Sequence, residues 1–551
     1  MSDGRPYAWE KSYPPGVKWD APLALSTVPA LFDKAVTAHA NRSALEYRGR
    51  SFSYGELADL VNRAAAGFAA LGLAGAQVAL YAPNTPLYVV AFFGALKTGA
   101  RIVNLSALDA ERELAHKLRD SGARTLVTTT LGDLPKTTAK LLDAGLLDHV
   151  IVGDDAMRTG PAATPEDPRV VRFEALLDTA RPLTAVPIRP DDIALLQYTG
   201  GTTGVPRAAM LTHGNLTAAI ASYDVWSSGQ NLIRSGEEKV ICVLPLFHIY
   251  ALTTILLRHL SQGNELLLRP RFDPATTVRD IQDKRATIFP GVPTMWIGLM
   301  AHPGIEACDF SSLRHCTSGG AALPVHVAER FEKIIGRHIG GGWGMTETAP
   351  AGTNIPIYGV RKPGSVGIPL PGVHMDVVAL DDARRVLKPG ETGEIRVKGP
   401  NVTRGYWQRP EETKNAFVDG HLLTGDIGYM DDDGFFFLVD RKKEMIISGG
   451  FNVYPRMIEE AIYEHPSVEE VLVIGVPDDY RGEAAKAFVK LRAGSPPLTL
   501  DDLRAFLADK VGRHELPTAL EIRASLPRST VGKLSKRDLL ASERQRSLAP
   551  N

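Results

Sequence analysis

The sequence predicts an α/β protein of several lobes, and three observations lead to this fold class. The chain has 551 residues, which is too long for one ordinary hydrophobic core. Its first half alternates helical and strand-like patterns, as proteins with parallel sheets do. From about residue 364, short strands are separated by glycine turns. We therefore expect a large N-terminal region of two α/β lobes plus a small β-barrel-like unit, followed by a small α+β domain.

The first lobe is predicted over residues 56–130, where helical and strand spacing of apolar residues follow each other. Its predicted elements are the helix ELADLVNRAAAGFAALG, the strand QVALYAP, the buried helix PLYVVAFFGAL, the strand RIVNL, the helix ERELAHKLRDSG and the strand TLVTT. Loop residues at 160–168 separate this lobe from the second one. The strands of the second lobe are predicted at KVICVLPLF, ELLLRP, ATIFPGVP and HIGGGWG.

The rest of the chain divides into two smaller units. The stretches GSVGIPLPGVHMDVVAL and GETGEIRVKGP predict a small antiparallel or barrel-like unit. After VDRKKEMIISGG, helical and strand-like patterns are mixed and closely spaced. We place the boundary near Arg441 to Lys443, so the predicted domains are residues 1–440 and 441–551.

Composition limits the kind of partner. Hydrophobic residues make up 44% of the chain and charged residues 23%, as in soluble globular proteins. The 62 basic and 63 acidic residues leave no overall field that would attract nucleic acid or an anionic membrane. Any phosphate binding therefore has to be local, and a small phosphorylated ligand is expected.

Cellular location is predicted from the absence of targeting signals. The polar N-terminal segment has no secretory signal, and the apolar stretch at 86–96 ends at Lys97, too short to span a bilayer. The three cysteines, Cys242, Cys308 and Cys316, lack CxxC spacing and are predicted to be buried thiols in a reducing compartment. We expect a cytoplasmic protein without an integral membrane segment.

A stretch rich in glycine and threonine, YTGGTTGVPRAAM at 198–210, follows an apolar strand. Glycines let backbone N–H groups turn towards an anion, and hydroxyls add donors, so the stretch predicts a phosphate-binding loop. Its spacing excludes a Walker P-loop, because Gly204 is followed by Val205, Pro206 and Arg207. A strand-to-helix turn capped by threonine is the alternative.

Six motifs in order give this loop a context: LQYTGGTTGVPRAAMLTHGNL, PLFHIYAL, TSGGAALP, GGWGMTETAP, LLTGDIGYMDDDGFFFLVDRKKEMIISGGFNVYP and LPRSTVGKLSKRDL. Over residues 30–540 the chain resembles the adenylate-forming enzymes, which include acyl-CoA synthetases, amino-acid adenylation domains and luciferases. Within this superfamily it is most similar to bacterial medium- and long-chain fatty acyl-CoA ligases. The resemblance implies a carboxylic acid substrate, ATP, Mg²⁺ and CoA. It also implies a mobile C-terminal domain.

The implied reaction has two steps. The substrate carboxylate attacks the α-phosphorus of ATP, giving acyl-AMP and pyrophosphate, and the thiol of CoA then displaces AMP. Because two anions meet, catalysis depends on cations and aligned donors.

The resemblance assigns the phosphate and metal ligands. The β- and γ-phosphates would be cradled by Thr199, Gly200, Gly201, Thr202, Thr203 and Gly204. Arg207 stands where a lysine is common, and it keeps the positive charge with a different shape. Thr346 would contact the α-phosphate, and Glu347, with Thr202, would hold Mg²⁺. The alternative for Glu347 is a surface glutamate at a strand-end turn.

The nucleoside ligands are implied in the same way. Ser318 to Ala322, including Gly319, Gly320 and Ala321, would lie along the adenine, and Trp343, followed by Gly344, would stack on its other face. Asp426 and Arg441 would bind the ribose hydroxyls. Read without this context, Trp343 is a core aromatic, Asp426 a turn residue and Arg441 a solvated charge.

The remaining roles concern the second step and the acid. Lys443 would be the hinge of the mobile domain, and Gly449 and Gly450 would line the CoA channel. Lys533 would bridge the substrate carboxylate and the α-phosphate, its alternative being one more residue of a basic tail. His248 would help to position the carboxylate near the acyl pocket, its alternative being a satisfied core histidine.

Several alternatives stay open. The enzyme could load its acyl group onto a carrier protein, act as a luciferase-like oxygenase, or be a nucleotide-binding regulatory protein without turnover. Arg258 lies within an apolar run and would either meet the far carboxylate of a dicarboxylic acid or reach the surface. A lysine acetyltransferase acting on Lys533 would stop adenylation. Monomer and homodimer are both open.

Overall fold

The computed structural model describes residues 5–157, 167–178, 186–199, 206–320, 323, 325–448, 451–478, 480–528 and 534–548. Its helices are Val28–His39, Tyr54–Ala70, Pro86–Lys97, Glu111–Ser121, Leu134–Asp143, Phe173–Leu177, His213–Gly229, Ile249–Ala251, Arg258–Ser261, Pro274–Gln282, Pro293–Met300, Val325–Ile335, Pro410–Ala416, Pro455–Tyr463, Leu500–Leu507 and Lys536–Leu548. Residues Leu252–Leu257 form a π-helix, and Ala8–Ser12, Ile305–Ala307 and Thr346–Thr348 form 3₁₀ turns.

The first sheet has seven strands and confirms the first predicted α/β lobe. Its strand order is Val170–Arg172, His149–Gly153, Thr125–Thr129, Gln77–Tyr81, Arg101–Asn104, Ile193–Thr199 and Arg207–Thr212. All neighbours are parallel except the last pair. The helix Pro86–Lys97 is apolar on all sides and buried, as its sequence predicts.

The second sheet also has seven strands, and it uses a segment that the sequence pattern did not reveal. Its order is Ile339–Gly341, His315–Ser318, Ile288–Gly291, Lys239–Cys242, Glu265–Leu268, Ser43–Tyr47 and Arg50–Ser53. The last two strands precede the whole first lobe in sequence, yet Ser43–Tyr47 pairs in parallel with Glu265–Leu268. Cys242 and Cys316 are buried in this lobe, whereas Cys308 is only partly buried, contrary to the prediction of three buried thiols.

The predicted β unit is present as a third, five-stranded sheet. Its strands are His374–Val378, Gly393–Lys398, His421–Met430, Phe417–Val418 and Phe436–Arg441, all antiparallel to their neighbours. A two-stranded ribbon of Thr353–Asn354 and Ile368–Pro369 connects it to the second lobe.

The C-terminal unit is a mixed sheet with helices packed against it. Its strands are Phe451–Val453, Ile446–Ser448, Gly482–Leu491, Val468–Asp478 and Ala519–Ile522, the last pairing in parallel with Gly482–Leu491. The third sheet ends at Arg441 and this sheet begins at Ile446. The division at residue 440 and the mobility of this unit stay predictions.

Buried amides join the two α/β lobes. The side chain of Asn84 donates to the carbonyl of Leu244 at 2.9 Å and accepts from the N–H of Leu246 at 2.8 Å. Gln197 donates to the carbonyl of Phe247 at 3.0 Å. These bonds hold the loop before His248 against the first lobe, and leaving such buried groups unpaired would be costly.

Candidate active site

Three parallel strands of the second sheet end side by side, and their ends build one wall of the site. Gly291, Ser318 and Gly341 are register partners on adjacent strands. The loops that follow the second and third of these strands contain the predicted adenine-binding residues. Ligands of open α/β sheets bind beyond the carboxyl ends of the strands, so this edge is where a nucleotide is expected.

Glycines at this edge allow backbone to approach closely. A Cβ on Gly344 would lie 1.5 Å from the carbonyl oxygen of Pro350. A Cβ on Gly319 would lie 2.8 Å from the ring of Tyr250, and Gly320 has a φ of +79°. A side chain at Gly319 or Gly344 would require rearrangement, and the φ of Gly320 is one that other residue types rarely adopt.

Asp426 is buried, and its carboxylate contacts two donor groups. The indole N–H of Trp343 donates to Asp426 Oδ2 at 2.8 Å, and Arg441 Nε lies 2.5 Å from Oδ1. Asp426 and Arg441 are also register partners on adjacent strands. Burial raises the pKa of the Asp426 carboxyl, while Arg441 and the indole N–H oppose the rise.

Trp343 makes a polar contact in addition to its packing. Its ring is buried in the core against Gly352, where a Cβ would lie 2.4 Å from the ring. The same side chain links the loop after Ile339–Gly341 to the third sheet through Asp426. The sequence predicted a stacking ring and did not reveal this hydrogen bond.

Glu347 is the second buried carboxylate of the site. It lies in the 3₁₀ turn Thr346–Thr348, and Asn401 anchors this turn by donating to the carbonyls of Thr348 and Ala351 at 2.7 and 2.6 Å. Tyr406 Oη donates to Glu347 Oε1 at 2.8 Å. Burial raises the pKa of the Glu347 carboxyl, which the Tyr406 hydroxyl opposes. The alternative of a surface glutamate is wrong.

Arg207 lies beside this carboxylate. Its guanidinium stacks 3.9 Å from the centre of the Tyr406 ring, and its Nη1 lies 3.2 Å from Glu412 Oε2. The positive charge of Arg207 also opposes the rise in the pKa of Glu347. Thr199 is the register partner of Arg207 on the neighbouring antiparallel strand. The segments on both sides of the predicted phosphate-binding loop are thus strands, so the alternative of a strand-to-helix turn is wrong.

A pocket joins the predicted acid-binding and adenine-binding residues. About 290 Å³ of empty space, partly open to solvent, is lined by Leu244, Pro245, His248, Tyr250, Ala251, Val292 and Gly320. His248 precedes the helix Ile249–Ala251, where its Nδ1 accepts from the N–H of Tyr250 at 3.3 Å. The side chain of His248 is thereby oriented at the pocket wall, to which Tyr250 and Ala251 also contribute.

Arg258 has its partners within the protein. Its Nε lies 2.9 Å from Asp224 Oδ1, and its Nη2 donates to Ser227 Oγ at 2.6 Å and to the carbonyl of Tyr223 at 2.9 Å. The side chain is buried and is not among the residues that line the pocket. Both sequence interpretations, a dicarboxylate contact and a surface cation, are therefore corrected.

Some predicted site residues lie outside the described part of the chain. They are Gly200, Gly201, Thr202, Thr203, Gly204, Ala321, Gly449, Gly450 and Lys533. Lys443 is described and lies exposed in the turn between the third sheet and the C-terminal sheet.

Two orphaned polar atoms bear on ligand binding. Within the described ranges, Ser318 Oγ and Arg207 Nε are buried without a hydrogen-bond partner. They lie where the sequence predicts contacts to a nucleotide, and a phosphorylated ligand would supply acceptors. The carboxylate of Glu347, held by a neutral hydroxyl, suits a hard cation such as Mg²⁺.

Sequence reasoning missed Tyr406, Asn84 and Gln197. Tyr406 has only a weak local signal, because it lies in RGYW, shortly after the strand Gly393–Lys398. Nothing local connects it with Glu347, 59 residues earlier. Asn84 lies between a predicted strand and a proline that begins a helix. An amide side chain at that point is a possible sequence signal for a buried hydrogen bond.

Within the described ranges, no helix has both the length and the apolar content that crossing a membrane requires. The cytoplasmic location stays a prediction.

Comparison with known proteins agrees with this geometry. The AMP-binding enzyme family matches residues 32–407, and the AMP-binding enzyme C-terminal domain matches residues 457–533. The long-chain-fatty-acid–CoA ligase of Bacillus subtilis (strain 168) is 36% identical over 97% of this chain and 98% of its own. A feruloyl-CoA synthase of an Amycolatopsis species is 37% identical over 90% of this chain and 94% of its own.

A solved structure gives the same result at the level of the fold. ATP-bound MatB from Rhodopseudomonas palustris has a TM-score of 0.83 and 28% identity, covering 94% of this chain and 99% of that one. The match of the family over most of the chain, with a relative similar along nearly its whole length, establishes the class of enzyme. The chain belongs to the AMP-binding enzyme family of the adenylate-forming superfamily and is an ATP-dependent, AMP-forming acyl-CoA synthetase.

Proposed function

We propose that this ligase activates an aliphatic carboxylic acid of medium or long chain. The observation that carries the proposal is the pocket between His248 and Gly320, because it is lined mainly by apolar side chains and adjoins the loop predicted to lie along adenine. Apolar walls with few polar groups suit an alkyl chain. The relative from Bacillus subtilis, described as a long-chain-fatty-acid–CoA ligase, supports the same class of acid.

The two buried carboxylates would divide the binding of MgATP. Asp426, already paired with Arg441, would accept the ribose hydroxyls. Glu347 would hold Mg²⁺, which when bound neutralises phosphate charge. Thr346 would contact the α-phosphate, and Arg207 would bring its charge to the phosphate side of the site.

Lys533, Lys443, Gly449 and Gly450 keep the roles that the resemblance implies. Lys533 would bridge the two reacting anions, Lys443 would be the hinge, and the glycines would admit CoA. Lys536, three residues further along the chain, lies 3.1 Å from Glu444 Oε2 and 3.0 Å from Glu459 Oε1. The helix after Lys533 is thus tied to the turn that contains the proposed hinge.

An acid panel tests the substrate. Pyrophosphate release is measured with MgATP and linear mono- and dicarboxylic acids or aryl acids, with and without CoA, while AMP and thioester are followed by mass spectrometry. We expect the highest kcat/KM with a linear monocarboxylic acid and thioester formation on free CoA. An aryl acid as the best substrate, as the name of the Amycolatopsis relative suggests, would overturn the choice of acid but not the reaction.

A pocket variant sharpens the same experiment. Ala251 is buried and lines the pocket, so Ala251→Leu fills part of it. We expect the preferred acid to become shorter, with the KM for ATP unchanged. The matched control is Ala301→Leu, at an exposed position outside the pocket. An unchanged preference in Ala251→Leu would contradict this location of the acyl chain.

Lys533 is tested by separating the two steps. Lys533→Ala should abolish pyrophosphate release yet spare thioester formation from supplied acyl-AMP and CoA. Arg528→Ala, another cation of the same region that pairs with Glu470, should keep both steps. Equal loss of both steps in Lys533→Ala would refute the assignment, and full activity after acetylation of Lys533 would refute its regulation.

A further inference from the structure

A cluster of metal-ligating side chains lies on the third sheet, apart from the residues assigned above. His374 and Asp376 occupy alternate positions of one strand, so both point to the same face, and His421 begins the strand His421–Met430. One ligand atom from each lies within 4.8 Å of the others. All three side chains are partly buried.

The distances are close to those of a metal site. His421 Nε2 lies 3.2 Å from His374 Nδ1 and 3.9 Å from Asp376 Oδ2. His374 Nε2 lies 3.7 Å from Asp376 Oδ1. Ligand atoms around a tetrahedral Zn²⁺ with bonds of about 2.0–2.2 Å are about 3.3–3.5 Å apart. These distances involve both ring nitrogens of His374 and both carboxylate oxygens of Asp376. With one atom taken from each residue the separations are within 4.8 Å, so side-chain rotations would have to bring the three ligands together.

Hydrogen bonds outside the cluster orient two of the ligands. His421 Nδ1 lies 3.2 Å from the carbonyl oxygen of Asp419, and because a carbonyl only accepts, that nitrogen carries the proton. Nε2 of the same ring then faces the cluster, where it is hydrogen-bonded at 3.2 Å to Nδ1 of His374, a contact that a bound ion would replace. Arg396 donates to Asp376 Oδ2 from Nε at 3.1 Å and from Nη2 at 2.8 Å, which leaves Oδ1 facing His374. Such outer partners commonly fix metal ligands in proteins.

The surroundings are apolar on two sides. Met375 and Leu422 bury their side chains beneath the sheet. The rings of Tyr7 and Trp9 pack edge-on against His374, with centroids 4.9 and 5.8 Å away. These contacts limit the access of water, while the positive charge of Arg396 opposes a bound cation and would keep its affinity moderate.

We propose that His374, Asp376 and His421 form a site for a divalent transition metal such as Zn²⁺, with a fourth position for water. Two imidazoles and one carboxylate favour such an ion over Mg²⁺. The ion would link the first strand of the third sheet to His421–Met430, the strand that also contains Asp426. Its effect would be structural, and the proposal does not depend on the identity of the acid substrate.

Zinc binding to the full-length protein tests the proposal. Protein freed of metal with a chelator is titrated with ZnCl₂ in competition with a chromogenic chelator. We expect the wild type to bind one more equivalent than the His374→Ala/His421→Ala double variant, and each single variant to bind about 10- to 100-fold more weakly. His338→Ala is the matched control, because His338 lies beside Glu332 with Nδ1 2.9 Å from Oε2 and should keep the wild-type affinity.

A second variant distinguishes loss of a metal ligand from misfolding. Asp376→Asn keeps the shape of the side chain and an acceptor for Arg396, so it should fold and keep wild-type ligase activity while weakening Zn²⁺ binding about 10-fold. X-ray absorption of the zinc-loaded wild type should show nitrogen and oxygen scatterers with imidazole features. Equal stoichiometry and affinity in the double variant, or sulfur scatterers in the wild type, would overturn the proposal.

Discussion

Glu347 and Asp426 are withdrawn from water to nearly the same extent, but their partners differ. Asp426 has a direct ion pair with Arg441 at 2.5 Å and an indole N–H at 2.8 Å. Glu347 has a neutral hydroxyl at 2.8 Å, and the nearby Arg207 is engaged with Glu412. Burial raises the pKa of both carboxyls.

The difference indicates which ligand each carboxylate suits. The charge of Asp426 is already matched, so its remaining lone pairs favour neutral donors such as hydroxyls. The charge of Glu347 is matched only at a distance, so binding a cation there would relieve the cost of burial. Two equally buried carboxylates therefore differ in the ligand that we propose for each, hydroxyl donors at Asp426 and a cation at Glu347.

The largest expected effect is that of Glu347→Gln. Without its charge the site should lose Mg²⁺, and pyrophosphate release should fall about 10³-fold. The free energy of unfolding should stay the same or rise, because the amide still accepts from Tyr406 and no buried charge remains. Steady-state kinetics and thermal melts measure both. Glu411→Gln, at an exposed position, serves as the control, and a Glu347→Gln enzyme with wild-type activity would contradict the assignment.

Asp426→Asn should act on ATP rather than on the metal. We expect the KM for ATP to rise about 10- to 100-fold, because a site built for hydroxyl donors loses its strongest acceptor. Stability should fall by only about 1 kcal/mol, since Arg441 is half exposed and can return to water. Titration with Mg²⁺ should give the wild-type requirement. An unchanged KM for ATP would return Asp426 to a structural role.

Trp343→Phe removes a single donor from Asp426 and replaces the indole with a smaller aromatic ring. The unpaired carboxylate oxygen should cost about 1–3 kcal/mol of unfolding free energy. The KM for ATP should rise about 5- to 10-fold, with the Mg²⁺ requirement unchanged. Trp343→Tyr, a variant with a hydroxyl of its own, separates loss of the donor from loss of ring area. If the Phe variant matches the wild type in both measurements, the hydrogen bond has no effect on the site.

Tyr406→Phe tests the pH dependence of Glu347. The ionised carboxylate is the form that binds a cation, so activity should fall as the pH falls through its raised pKa. Removing the hydroxyl takes away a group that favours ionisation, and the acidic limb of kcat/KM for ATP should move to higher pH. A pH–rate profile of wild type and variant measures the shift, and a limb that stays in place would show that another group titrates.

The same pKa direction predicts how stability changes with pH. Because the pKa of Glu347 is higher in the folded state than in the unfolded state, its contribution favours folding below the unfolded pKa and is lost as the pH rises through the folded one. Glu347→Gln should therefore gain stability relative to the wild type as the pH is raised from the ordinary pKa of a glutamate through the higher pKa of the folded state. Thermal melts across this range provide the check.

The smallest effect is expected for Arg207→Lys. The lysine keeps the charge near the phosphate side but loses the planar stack on Tyr406, so turnover should fall about 2- to 5-fold. Turnover should fall further in Arg207→Met, which removes the charge. Equal kinetics of the Lys and Met variants would mean that the charge has no part in catalysis.

Much of this protein was determined by sequence patterns that act over short distances. Apolar spacing reflects local geometry, so the sequence predicts parallel strands such as Gln77–Tyr81 and the buried helix Pro86–Lys97. It also predicts the antiparallel unit after residue 364. The family and its reaction are visible because six motifs occur in order. Glycines at positions such as 320 and 344 are required by backbone geometry and indicate the edge where the site lies.

Only the tertiary structure decided which side chains meet. Tyr406 bonds to Glu347, Trp343 bonds to Asp426, and Ser43–Tyr47 pairs with Glu265–Leu268, a strand far away in sequence. Arg258 forms an ion pair with Asp224 and does not line the proposed acyl pocket. Periodicity fixes the face on which a residue lies but not its partner across the fold. Burial and charge at the site depend on those partners, and for that reason two similar carboxylates have different environments.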